Sequence, residues 1–178
     1  CWLPADWAGD NWRIDPARAG GGALMDLAPH GLDLAGVILG EPLVEVAAMG
    51  QARVHHYAVE DGAALMARSR SGTLVQMHVA YNCPETLPRR RLEVVGTAGQ
   101  VIARDTMGQT PGGTLEWIDA ATGVTEPIEV PGNDRSPFLN QVEAFADAVR
   151  SGRAFPFTPE HDLDTMALVL RAQAMATA

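Results

Sequence analysis

The sequence predicts an α+β fold, an open and mostly antiparallel β-sheet with helices covering one face. Three observations predict it. A helical period runs from Ala23 to Leu39, short strand-like runs fill residues 43–130, and two more helical stretches close the chain.

Residues 1–22 are rich in Trp, Gly, Asp and Pro. Trp2, Trp7 and Trp12 stand five apart, followed by Asp15-Pro16 and Gly20-Gly21-Gly22, which reads as loop. From Ala23 to Leu39, Leu24, Leu27, Leu34, Ala35 and Ile38 share one helical face, and Gly40-Glu41-Pro42 stops the helix. Strands are expected near 43–54, 61–70, 73–83, 89–96, 100–105, 114–119 and 124–130, broken by Ser71-Gly72, Thr97-Ala98-Gly99, Pro111-Gly112-Gly113 and Thr122-Gly123. Such short turns force antiparallel pairing, because a parallel crossover needs a dozen or more residues. Pro137–Arg150 carries Phe138, Val142, Phe145, Ala146 and Val149 on one stripe. Pro159–Ala178 starts at Thr158-Pro159-Glu160, with Thr as N-cap and Pro at the first helical position.

The 178 residues fit one domain, and 47% hydrophobic residues supply a core. The net charge of −9 argues against a general nucleic-acid binder. Arg89-Arg90-Arg91 is too short a basic run to reverse that, and no apolar stretch reads as a membrane span. Two cysteines, Cys1 and Cys83, make neither a disulfide framework nor a zinc cluster, so a cytoplasmic setting is expected. The start at Cys1-Trp2-Leu3-Pro4 reads like the middle of a longer protein. Lysine is absent, which removes Schiff-base and lysine acid chemistry from this chain.

The most informative stretch runs from Gly20 to Leu34. On a helix Asp26 and His30 are i,i+4 neighbours and Asp33 is i+3 from His30, so all three fall within a sector about 60° wide. A carboxylate beside an imidazole fixes its tautomer and raises its basicity, as a general acid–base requires. Pro29 complicates this. A helix starting at Asp26 would place Pro29 harmlessly in the first turn and commit the Asp26 carboxylate to capping. Spacing leaves both readings open. A metal site of Asp26, His30 and His55 or His56 lacks a second ligand pair at a recognisable distance. His55-His56-Tyr57 falls at a strand end, His78 reads as a satisfied sheet residue, His161 as solvated surface, and Arg68 and Arg70 as a solvated strand face. No Gly-x-Gly-x-x-Gly follows a strand, and no phosphate loop or Gly-x-Ser-x-Gly elbow is present.

Trp12-Arg13-x-Asp15, then Gly20-Gly21-Gly22-x-x-x-Asp26-x-x-x-His30-x-x-Asp33, resembles the opening of the C-terminal domain of the Gfo/Idh/MocA oxidoreductases. Val59-Glu60-Asp61-Gly62, Ser71-Gly72 and Leu92-Glu93-Val94-Val95-Gly96-Thr97-Ala98-Gly99 resemble its strand motifs in the same order. The resemblance implies a substrate-binding and oligomerisation domain that works with an N-terminal Rossmann domain holding NAD or NADP, absent from this chain. It implies His30 as acid–base on a hydroxyl or carbonyl and Asp26 as its orienting group; Arg13, just before the glycine run, and Asp33 are expected as substrate contacts, and no metal is expected. The small-molecule substrate would be a sugar, polyol or related compound, its secondary alcohol interconverted with a ketone. A sheet covered on one face must also bury the other, and a homodimer or tetramer through that face is expected. A dimerisation or ligand-sensing module that kept the fold without the chemistry is the alternative.

Overall fold

The computed structural model describes residues 1–3 and 11–176, so Trp7 and the last two residues of the helix expected over Pro159–Ala178 lie outside the described residues. The described chain divides into two compact units, Cys1–Pro84 with Phe157–Ala178, and Glu85–Pro156.

In the first unit, β1 (Leu43–Gln51), β2 (Gly62–Ser69) and β3 (Leu74–Ala80) form an antiparallel sheet in that order. Helices α2 (Ala23–Leu39) and α4 (Pro159–Ala176) cover one face. Leu24, Ala28 and Leu32 of α2 and Leu168, Val169 and Ala172 of α4 meet Ala63, Leu65, Ala67 and Val79 of the sheet in one core. Strand alternation places the opposite side chains on a bare face, in cross-strand rows Met49–Ala64–His78, Ala47–Met66–Gln76 and Glu45–Arg68–Leu74. Met49, Met66 and Leu74 are 78%, 57% and 64% exposed there. Arg68 pairs with Glu45 at 3.4 Å, and His78 points to solvent on this face instead of being satisfied within the sheet.

The second unit holds β4 (Arg91–Val95), β5 (Gly99–Arg104), β6 (Thr114–Asp119) and β7 (Thr125–Pro127), an antiparallel meander, and helix α3 (Pro137–Ser151). The α+β class and the order of elements are as the sequence predicts. The single sheet is not: residues 81–90 between β3 and β4 contain Pro84 and Pro88, which have no N–H to donate, and the strands fall into two sheets. Strand β1 stops at Gln51 and not at Val54. The N–H groups of Arg53, Val54 and His55 are taken instead by one oxygen of the Asp61 carboxylate, at 3.0, 2.5 and 2.8 Å.

By length and composition the stretch Pro16–Leu39 could cross a membrane, contrary to expectation. Here it is two helices, because Gly20 at φ 76° ends α1 (Pro16–Ala19) before α2 begins, and the Leu24, Ala28 and Leu32 face of α2 lies in the core.

Candidate active site

Helix α2 starts at Ala23, four residues earlier than a capping Asp26 would allow, and Pro29 sits inside it. Gly22, at the cap position, has no side chain to bond the first N–H groups. Glu60, from the segment leading into β2, does so from across the fold. Its Oε1 accepts from Gly22 N at 2.8 Å and Leu24 N at 3.1 Å, and its main-chain oxygen accepts from Ala23 N at 3.0 Å. A Cβ on Gly22 would lie 2.0 Å from the Glu60 oxygen, so this approach admits only glycine. The remote cap supplies the acceptor and the negative charge that a helix N-terminus favours. It also frees Asp26 from capping, which closes the first of the two readings left open by spacing.

The buried stripe of α2 is Leu24, Ala28 and Leu32, not the predicted Leu24, Leu27, Leu34 and Ile38, and Ile38 is 43% exposed. Small residues decide this. Ala28 is fully buried, and a Cβ on Gly31 would stand 2.4 Å from the Met77 methyl, so the helix rests closely on β3 through residues that a count of leucines overlooks. At about 100° per residue, Asp26, His30 and Asp33 then lie directly opposite the core. His30 is exposed between two rails, Asp26 and Asp33 at i−4 and i+3, and Leu27 and Leu34 at i−3 and i+4.

The Asp26 carboxylate shares a pocket of about 100 Å³ with Trp12, Arg13, Met25 and Tyr81. The Arg13 guanidinium lies over the Trp12 ring, 4.6 Å from its centroid. The Tyr81 hydroxyl donates to the Gly22 carbonyl at 3.3 Å, and Tyr81 and Asp26 line the same pocket. Burial, then the Asp26 charge, push the Tyr81 phenol well above its ordinary range, with Arg13 opposing. Among the described residues no hydrogen bond or ion pair joins Asp26 to His30. Asp33 bonds His161 of α4, so His161 is not the solvated residue expected, and the Asp33 carboxylate faces α4. A second cavity of about 280 Å³ opens behind Gly20 and Gly21, lined in part by Gln51, Tyr57, Glu60 and Gln173.

His55 is buried at 4% exposure, edge-on to Trp2 and stacked on Tyr57, and does not face a cleft. Among the described residues no three His, Cys, Asp or Glu side chains gather as a metal site. Arg13 and Asp26 thus share the small pocket at the start of α2, His30 stands exposed one turn further along the helix, and Asp33 is engaged with His161. Sequence reasoning missed Tyr81 and Glu60. Glu60 stands within the quoted Val59-Glu60-Asp61-Gly62 motif, but its bond spans 38 residues.

The α+β fold, with His30 exposed on the face of α2 away from its core, is the frame for comparison with known proteins. The model of the GFO/IDH/MocA C-terminal domain matches residues 1–102, more than half the chain, and the chain belongs to this family. It is 34% identical over 119 residues to a 1,5-anhydro-D-fructose reductase of Ensifer adhaerens, covering 66% of this chain and 35% of that protein. Among solved structures, aldose-aldose oxidoreductase of Caulobacter crescentus in complex with glycerol superposes with a TM-score of 0.79 at 24% identity, over 94% of this chain and 49% of that one. GenD2 of gentamicin A biosynthesis, in complex with NAD, gives 0.70 at 27% identity, over 93% and 49%. The chain therefore spans about a third of the reductase and half of each of the two solved structures.

Proposed function

We propose that this domain is the substrate-binding half of an NAD(P)-dependent oxidoreductase that interconverts a secondary alcohol and a ketone on a sugar, polyol or related compound. The observation that carries this reading is His30, an exposed imidazole opposite the core, beside Asp26 on one side and an apolar rail on the other. When bound, the nicotinamide supplies the hydride donor or acceptor at the substrate carbon. His30 takes the hydroxyl proton in oxidation and returns one to the carbonyl oxygen in reduction. Asp26, one turn back on the same face of α2, is the group placed to orient His30. Arg13, held over Trp12, contacts the substrate's oxygens. Asp33 serves the site indirectly, tying α2 to α4 through His161.

The residues present fit the nicotinamide end of the cofactor and not its phosphates. Leu27 and Leu34 beside His30 give an apolar bed. The N–H groups of Gly22 and Leu24, which could have cradled a pyrophosphate, are already bonded to Glu60. The phosphates therefore fall to a further domain, as the relatives' greater length supports. The bare face of β1–β3, with Met49, Met66 and Leu74 exposed, is the surface for a second copy in a dimer or tetramer. The reading puts the protein in the cytoplasm.

The native gene product tests this. A mass near twice 18.9 kDa is expected, together with NAD(P)-dependent turnover of a sugar or polyol. His30→Ala should lower kcat/KM at least a hundredfold without moving Tm, because the side chain is exposed. Unchanged turnover in the variant overturns the assignment to His30, and no turnover by the native product leaves a ligand-sensing or dimerisation module.

A further inference from the structure

Tyr81 is the largest fully buried side chain among the described residues, 1% exposed, and the chemistry above makes no use of it. It stands just past the end of β3 and its main chain is fixed from two sides. Tyr81 N donates to Asp61 O at 2.8 Å, and Leu3 N donates to Tyr81 O at 2.8 Å. Asp61 is itself fully buried and bound by three consecutive N–H groups, so the strand end is anchored on a rigid loop. A phenol buried this deeply must place its single proton on an acceptor. The Gly22 carbonyl accepts from it at 3.3 Å, and Asp26 lines the same small pocket as the phenol.

We propose that Tyr81 is a positioning residue for the reaction, holding the Asp26 carboxylate at the first turn of α2 from the core side, so that Asp26 acts on His30 and substrate from a fixed place. The inference rests on the function proposed above. The alternative is that Tyr81 only seals the glycine loop through Gly22. Burial and the Asp26 charge keep the phenol protonated, so it remains a donor throughout the pH range in which an enzyme works. The donor stands at the end of a sheet strand, 59 residues from Gly22, and not on the helix it serves. The carboxylate is thereby referenced to the sheet and not to a mobile surface. Charge-assisted bonds of this kind are the stronger class, and loss of one is felt in the chemical step when the held group acts there.

The test uses the full-length protein with 3-fluorotyrosine at position 81, read by ¹⁹F NMR. Asp26→Asn should move the Tyr81 resonance and His30→Ala should leave it in place; an unmoved resonance in Asp26→Asn overturns the contact. In turnover, Tyr81→Phe should lower kcat about tenfold with KM within twofold, and should add nothing on an Asp26→Asn background. Equal losses in both backgrounds would mean a sealing role only, and an unchanged kcat would remove the role altogether. Should Tyr81→Phe not fold, the near-isosteric 3-fluorotyrosine protein carries the same cycle, since its more acidic phenol should change kcat with Asp26 present and not on the Asp26→Asn background. Failure of the underlying function is read separately, as equal turnover by the unmodified protein and His30→Ala.

Discussion

Helices α2 and α3 look alike as sequence and are built by opposite means. Both are amphipathic, 17 and 15 residues long, and both end on a glycine in the left-handed region, Gly40 at φ 67° and Gly152 at φ 69°. Helix α3 carries its own start signal: Ser136 Oγ accepts from Leu139 N, and Pro137 fills the first position. It buries none of its residues. Helix α2 has no local cap, borrows one from Glu60, and buries five residues. The helix that carries the candidate chemistry is the one whose start is set by tertiary structure. A locally capped helix can form early and anywhere, whereas α2 has its N-terminal register only once the segment before β2 is in place. That coupling fixes the register of Asp26 and His30 along α2.

The sharpest way to break this contrast is Gly22→Ala. Its Cβ would need the space of the Glu60 main-chain oxygen, so either the cap or the entry to β2 must move. A loss of about 3 kcal/mol or more in chemical denaturation is expected, in the range of overpacking combined with a lost cap. A loss under about 1 kcal/mol would mean that α2 does not depend on this approach.

Next in size is an acid effect confined to the first unit. Burial opposes ionisation of Asp61, and the N–H groups of His55, Val54 and Arg53 outweigh it, so its carboxyl lies below the usual carboxylate value. A depressed folded-state pKa gives stability that is present above the unfolded value and lost as pH falls through the folded one. Tm should therefore fall as pH drops below about 4. Asp61→Asn, which sets an amide against three donors, should be less stable at pH 7 and flatter with pH. A variant that tracks the parent at every pH would remove Asp61 as the anchor of the loop that fixes Tyr81.

What the sequence revealed follows the same division between local and remote causes. All seven strands, the Gly40 end of α2 and the Thr158 start of α4 were legible because each is written in adjacent residues: alternation, turn dipeptides, a terminal glycine, a capping hydroxyl that accepts from His161 N at 3.3 Å. The Asp26–His30–Asp33 spacing was legible for the same reason. The cap that starts α2 was not, because it comes from Glu60. The buried face of α2 was misplaced because Ala28 and Gly31, which bring it against β3, carry little hydrophobic signal. Asp33 was given to substrate because its partner, His161, is 128 residues away. Where pairing stops was not legible either: the end of β1 depends on the Asp61 carboxylate, and the separation into two sheets on the prolines between β3 and β4, more than on strand propensity.

The smallest effect sharpens the comparison from the α3 side. Ser136→Ala removes the only side-chain cap bond that α3 has among the described residues, and that bond is long at 3.5 Å and exposed. A cost of about 0.5–1 kcal/mol is expected, the low end for capping serines, because water can take over the Leu139 N–H at an exposed terminus. At α2 water has no such access, since Gly22, Ala23 and Leu24 are all buried. Denaturation of Ser136→Ala and Gly22→Ala in the same background measures the difference directly. If Ser136→Ala cost as much as Gly22→Ala, a locally written cap would matter as much as one written across the fold, and the special dependence of α2 on Glu60 would be lost.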